Sequence, residues 1–104
     1  MDIRKFQEEI LKACARVHSL PNRKPHTKQS ATVHLMEEIG EIARQVTNET
    51  HRPEKFNREN LATELADTML FLVTLSNLYN IDLSSEMHKC IERVKDLSKF
   101  KPGS

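Results

Sequence analysis

Residues 61–79 read LATELADTMLFLVTLSNLY, and this stretch decides the fold. Leu61, Leu65, Met69, Leu72 and Leu75 recur at helical spacing, but Ala66, Leu70, Phe71, Val73 and Leu78 fill the remaining directions. A helix apolar almost all round belongs in the middle of a bundle or in an oligomer interface. The spacing predicts a helix from about Glu59 to Tyr79. Its densest part, Leu65 to Leu78, carries Asp67, Thr68, Thr74, Ser76 and Asn77, and reads as too short and too polar to span a bilayer.

Working outward, three amphipathic helices flank it. The first is predicted from Asp2, a plausible N-cap, to His18, with Ile3, Phe6, Ile10, Ala13, Cys14 and Val17 on one face. Pro21 and Pro25 mark Ser19 to Gln29 as a loop. The second helix is predicted from Ser30 to Asn48, with Leu35, Met36, Ile39, Ile42, Ala43 and Val46 as its core stripe, interrupted by Gly40. Glu49 to Arg58 reads as a second loop because Pro53 opposes continuation of the helix. Ser84 or Ser85 is predicted to cap a fourth helix that reaches about Phe100. Short connections favour antiparallel neighbours. The expected architecture is therefore all-α: one four-helix, antiparallel, bundle-like domain over residues 1–104.

Composition supports this and narrows function. With 104 residues there is room for one core. Two Gly and four Pro are too few for the turns of an all-β sandwich or barrel. At 38% apolar the core is thin, which points to completion by another subunit, as a homodimer or homotetramer. The formal net charge of +1 argues against a nucleic-acid or anionic-membrane partner. Cys14 and Cys90 form no CxxC, and the N-terminal stretch shows no apolar leader, so a reducing, cytoplasmic setting is expected.

The chemistry lies in the carboxylates. Glu38 and Glu41 are three apart, about 60° on one helix face, on the flank of the apolar stripe and in line with His34 and Gln45. Glu64 and Asp67 repeat the spacing among Leu61, Leu65, Leu70 and Phe71, where an ionised carboxylate is costly unless paired or bound to a metal. Two such pairs on consecutive antiparallel helices can converge. Their repulsion raises their pKa values, and a divalent hard cation relieves it. Oxygen-only ligation suits Mg²⁺ or Mn²⁺ and not Zn²⁺. Salt bridges to Lys or Arg on other helices are the competing explanation.

The segment Glu37-Glu38-Ile39-Gly40-Glu41 followed, after 22 residues, by Glu64-Leu65-Ala66-Asp67 resembles the EExxE…ExxD signature of the MazG-like, all-α nucleotide pyrophosphohydrolases. The resemblance extends over about Lys28 to Val94. It implies a Mg²⁺-dependent enzyme that splits nucleoside triphosphates into monophosphate and pyrophosphate. Glu38, Glu41, Glu64 and Asp67 would be the metal ligands, and Glu37 would orient or deprotonate the attacking water. Glu37 lies about 100° from Glu38 on the helix, which sets it apart from the ligand pair.

A triphosphate also needs basic groups. Candidates are Arg23, Lys24, His26 and Lys28 in the first loop, and Lys89, Arg93, Lys95 and Lys99 on the last helix. Lys89 and Arg93 share a face and are the strongest of these. The family often offers an Asn on that helix; here Glu92 and Arg93 stand where it would be sought. His26 and His34 are further pocket candidates. With no Trp, no base-stacking platform is evident, which fits a broad substrate range. The rival readings are a phosphoribosyl-ATP pyrophosphohydrolase, a non-catalytic helical interaction module, and a nucleic-acid binder using Arg23 to Lys28.

Overall fold

The computed structural model describes residues 1–98. These form four α-helices, with no strand among the described residues: α1 (Ile3–His18), α2 (Lys28–His51), α3 (Arg58–Leu78) and α4 (Leu83–Ser98), plus one 3-10 turn over Pro53–Lys55. The predicted end of the last helix at Phe100, and Lys99, lie outside the described residues.

Side chains at the boundaries explain the limits. Asp2 caps α1 by accepting from the Lys5 amide at 2.8 Å. The α2 helix starts two residues before the expected Ser30 because Thr27 is its cap. The Thr27 hydroxyl accepts from the Ser30 amide at 3.0 Å, and the Ser30 hydroxyl accepts from the Thr27 amide at 2.9 Å. It continues past the expected Asn48 to His51, where Pro53 stops it. Asn57 caps α3 through the Asn60 amide. Its C-terminus closes by bonds from the Asn80 amide to the Asn77 carbonyl and from the Ile81 amide to the Ser76 carbonyl. That pattern requires a left-handed residue, supplied by Asn80 at φ 55°. The cap of α4 is Asp82, which accepts from the Ser84 amide and the Ser85 hydroxyl, both at 3.0 Å, in place of the expected serines.

The α2 and α3 helices form the main packing unit, and they are antiparallel. His34 stacks on Phe71, while further along α2 Gln45 Oε1 accepts from the Asn57 amide at 2.9 Å, before the start of α3. The α1 helix packs on α3. Gln7 ties α1 to the α3–α4 turn: it donates to the Ile81 carbonyl (2.7 Å), accepts from the Leu83 amide (3.1 Å), and its own carbonyl accepts from Asn77. Arg4 adds an exposed ion pair with Asp82 at 3.1 Å.

The expected all-α, four-helix architecture is present, but among the described residues the helices do not close into one compact bundle. The substantial packing partner of α4 is α1, near the α4 start, and α4 presents Met87, Ile91, Val94 and Leu97 to solvent. The Cα radius of gyration is 17.4 Å, against about 13 Å for a compact 100-residue domain. Ala31 and Val73 are the fully buried apolar residues among those described. The predicted core stripe of α2 is split: Leu35 and Ile42 turn toward α3, while Met36, Ile39 and Val46 remain 67%, 51% and 55% exposed. The stretch Leu65 to Leu78 is part of a longer helix: α3 has 21 residues and holds an 18-residue window of mean hydropathy 1.2, enough by length and composition alone to cross a bilayer, a test that the core helix of a soluble protein also meets.

Candidate active site

The rotation of α2 places its acidic flank against α3. Ala31, Leu35, Glu38, Glu41, Ile42 and Gln45 are the less exposed positions, a helical face with two carboxylates where apolar contacts are usual. Opposite them, Glu64 and Asp67 are also half-buried. Gln45, noted in the sequence only for its alignment with the acids, anchors this face to the turn before α3.

The electrostatics show that the four carboxylates share one neighbourhood. The Glu38 carboxyl titrates above its ordinary value, first because burial disfavours its charge, then through repulsion by Asp67, Glu64, Glu41 and Glu37. Glu64 Oε2 is buried and has no hydrogen-bond partner. Glu41 is met by Arg44 of its own helix at 3.6 Å, and Glu37 by His34 Nδ1 at 3.4 Å. Among the described residues, the ion pairs of these four acids include one within α2, Glu41 with Arg44, and none to a basic residue of another helix. Among the described residues no three carboxylates stand close enough to form a ready-made cation cage.

A family model, that of the MazG nucleotide pyrophosphohydrolase domain, matches residues 22–98. The chain belongs to this family. The match covers most of the first loop through α4 and leaves out all of α1. No curated protein and no solved structure matches the chain. MazG-type pyrophosphohydrolases are generally dependent on a divalent metal. In this MazG domain the donor set fits such an ion. It is all carboxylate oxygen, one oxygen of Glu64 is buried without a partner, and charge repulsion raises Glu38.

The other predicted residues do not all converge. His26 and His34 come together: their rings meet edge to face at 5.4 Å, and both pack on Phe71, His34 stacked at 5.2 Å and His26 edge-on at 5.6 Å. Lys28 lies over the ring of Tyr79 at 4.3 Å, tying the start of α2 to the end of α3. Lys89 pairs with Glu86 on its own helix at 3.2 Å, and α4 does not bring Lys89 or Arg93 to the acids. The expectation of phosphate contacts from α4 is therefore not met within one chain, because α4 departs from the hairpin.

Sequence reading missed His18, whose ring lies 6.3 Å from His26, and a cavity of about 220 Å³ bounded by Leu11, Cys14, His18, His26, Thr74 and Leu78. The even spacing of His18, His26 and His34 was visible. Two prolines intervene, so it carried no helical meaning.

Proposed function

We propose that this MazG domain hydrolyses nucleoside triphosphates, ribo- or deoxyribo-, to nucleoside monophosphate and pyrophosphate, with Mg²⁺ or Mn²⁺, in a nucleotide-pool house-cleaning role in the cytoplasm. The observation that supports this reading is the repulsion of Glu38 by Asp67, Glu64 and Glu41 across the α2–α3 face, with an unpartnered buried oxygen on Glu64. These four residues would hold the ion, and the ion, when bound, offsets phosphate charge and polarises the phosphoryl oxygens.

The chain's own residues do the rest. Glu37, outside the ligand set on the helix wheel, takes a proton from a water molecule. The water oxygen forms a bond to the α-phosphorus. The bridging bond between the α-phosphorus and the oxygen of the β-phosphate breaks in line, and pyrophosphate leaves with that electron pair. The triphosphate lies along the acidic flank, and the cavity beside His26 and Phe71 takes the nucleoside end.

Partners follow from the other flank. We read Met36, Ile39 and Val46 on α2, with Leu65, Met69 and Leu72 on α3, as the seam against a second copy, in a homodimer or homotetramer. This assigns the apolar length of α3 to protein packing and not to a membrane. Nucleic acid is not a partner in this reading.

A phosphoribosyl-ATP pyrophosphohydrolase shares the same acidic logic and is separated by substrate. The interaction-module alternative requires ion pairs across helices to the four acids, and none is found among the described residues. Each nucleoside triphosphate, and phosphoribosyl-ATP, is to be incubated with protein and Mg²⁺ and the products resolved. Pyrophosphate and monophosphate are expected. Orthophosphate release, or no turnover of any of them, would overturn the reading. Glu41→Gln is expected to abolish both turnover and metal-induced thermal stabilisation while the helices stay folded.

A further inference from the structure

We infer that His34 is a positioning residue that fixes the carboxylate of Glu37, with Phe71 as the surface that holds its ring; this rests on Glu37 being the base. His34 stacks on Phe71 with ring centroids 5.2 Å apart and planes inclined by 13°. His26 closes on the pair from a third direction, edge-on to both rings. Three elements thus hold one imidazole: the first loop, α2 and α3. The Nδ1 atom of that imidazole lies 3.4 Å from Glu37 Oε2.

The arrangement answers a problem the reaction poses. The Glu37 side chain is 64% exposed, and its three side-chain torsions are otherwise free to turn in solvent. A base that must meet a proton at hydrogen-bond distance loses rate with every rotamer that faces elsewhere. An ordinary pairing of His and Glu one helical turn apart on a surface would not help, because both partners move. Here one partner, although 46% exposed, packs against the rings of Phe71 and His26. At 3.4 Å the two atoms are within ion-pair reach, short of a formed hydrogen bond; a small rotation of Glu37 lets the tautomer with hydrogen on Nδ1 donate to Oε2 and leaves Oε1 to face the water. His34 is 60° from Glu37 on the helix and lies between it and the Glu38 direction. Closing that contact draws Glu37 toward the acids proposed to hold the metal. The role differs from substrate contact, which the sequence alone suggested for His34.

The test compares His34→Phe, His34→Asn, Glu37→Gln and the double variant His34→Phe/Glu37→Gln. Phe keeps the stack on Phe71 and removes the donor. Asn carries its amide nitrogen where Nδ1 was. His34→Phe is expected to lower kcat about tenfold, the scale for loss of an orienting bond, with KM and thermal midpoint unchanged. His34→Asn should recover part of kcat, and the double variant should match Glu37→Gln. In ¹⁵N spectra of the wild type, His34 should show the Nδ1–H tautomer, and Glu37→Gln should shift it. An unchanged kcat in His34→Phe, a loss in KM instead of kcat, or a double variant worse than Glu37→Gln overturns the positioning role. Full activity of Glu37→Gln, or no nucleotide turnover by the wild type, would instead overturn the reading it rests on.

Discussion

The two flanks of the α2–α3 hairpin are built in opposite senses. The flank of α2 that meets α3 carries Glu38 and Glu41, facing Glu64 and Asp67. The outward flank carries Val33, Met36, Ile39, Gly40, Ala43 and Val46, without a charge among them. Folding a single chain for its own stability would favour the reverse. Apolar groups gain about 25 cal/mol for each Å² removed from water, and unpaired carboxylates lose free energy on burial. The difference teaches that neither flank is finished within one chain. In the proposed reading a cation completes the acidic one and a second copy of the chain the apolar one.

The largest expected effect is on the acidic flank. Glu64→Gln should cost on the order of 100-fold or more in turnover, at least the loss seen when a metal ligand's supporting partner is removed. Glu64→Leu should be equally inactive but more stable without metal. It relieves the unpartnered oxygen, worth about 1 kcal/mol or more, a rise in Tm of about 4–8 °C in differential scanning calorimetry. A Glu64→Leu variant less stable than the wild type in metal-free buffer would break the contrast between the flanks.

On the apolar flank, Ile39→Glu should dissociate the assembly. Sedimentation velocity should show the monomer at concentrations where the wild type is a dimer or tetramer. An unchanged sedimentation coefficient would mean that the seam lies elsewhere.

The pH dependence distinguishes the acidic flank from the histidine cluster. Glu38 titrates above its ordinary value in the fold. Its contribution to stability is therefore fully present below about pH 4.5 and is lost as pH rises through the raised value. His26 is lowered, first by burial and then by His34 and His18. Its contribution is present above about pH 6.5 and is lost as pH falls through the lowered value. Metal-free Tm should therefore fall at both ends. Glu38→Gln should remove the loss on the alkaline side, and saturating Mg²⁺ should reverse it.

The smallest effect sharpens the assignment of the seam. Nothing lies within 4 Å of where a Cβ on Gly40 would be. In an isolated chain Gly40→Ala should add about 1 kcal/mol of helix stability. If a second helix seats closely there, the same change should weaken self-association instead. Dilution isotherms read the sign.

Much of this was legible in the sequence. The limits of α1 and α3 followed from apolar spacing and breakers, and the paired three-residue spacing in an apolar context put Glu38, Glu41, Glu64 and Asp67 forward as candidates. The rotation of α2 was not legible. Leu35, Met36, Ile39 and Ile42 form one wide stripe, and nothing local says which edge of it meets α3. The start of α2 was missed because the reciprocal pair between Thr27 and Ser30 lacks the acid that usually marks a capping box. The departure of α4 was hidden because it depends on Gln7, far away in the chain, bonding both Ile81 and Leu83. The histidine cluster is built from three separate elements, and the even spacing of His18, His26 and His34 carries no helical meaning across two prolines.

The central claim is that the acidic flank directs water to the α-phosphorus. The direct measurement is ³¹P NMR of a nucleoside triphosphate turned over with Mg²⁺ in ¹⁸O-labelled water. The account predicts one ¹⁸O in the nucleoside monophosphate and none in pyrophosphate. Label in pyrophosphate, or orthophosphate as the released product, would contradict it.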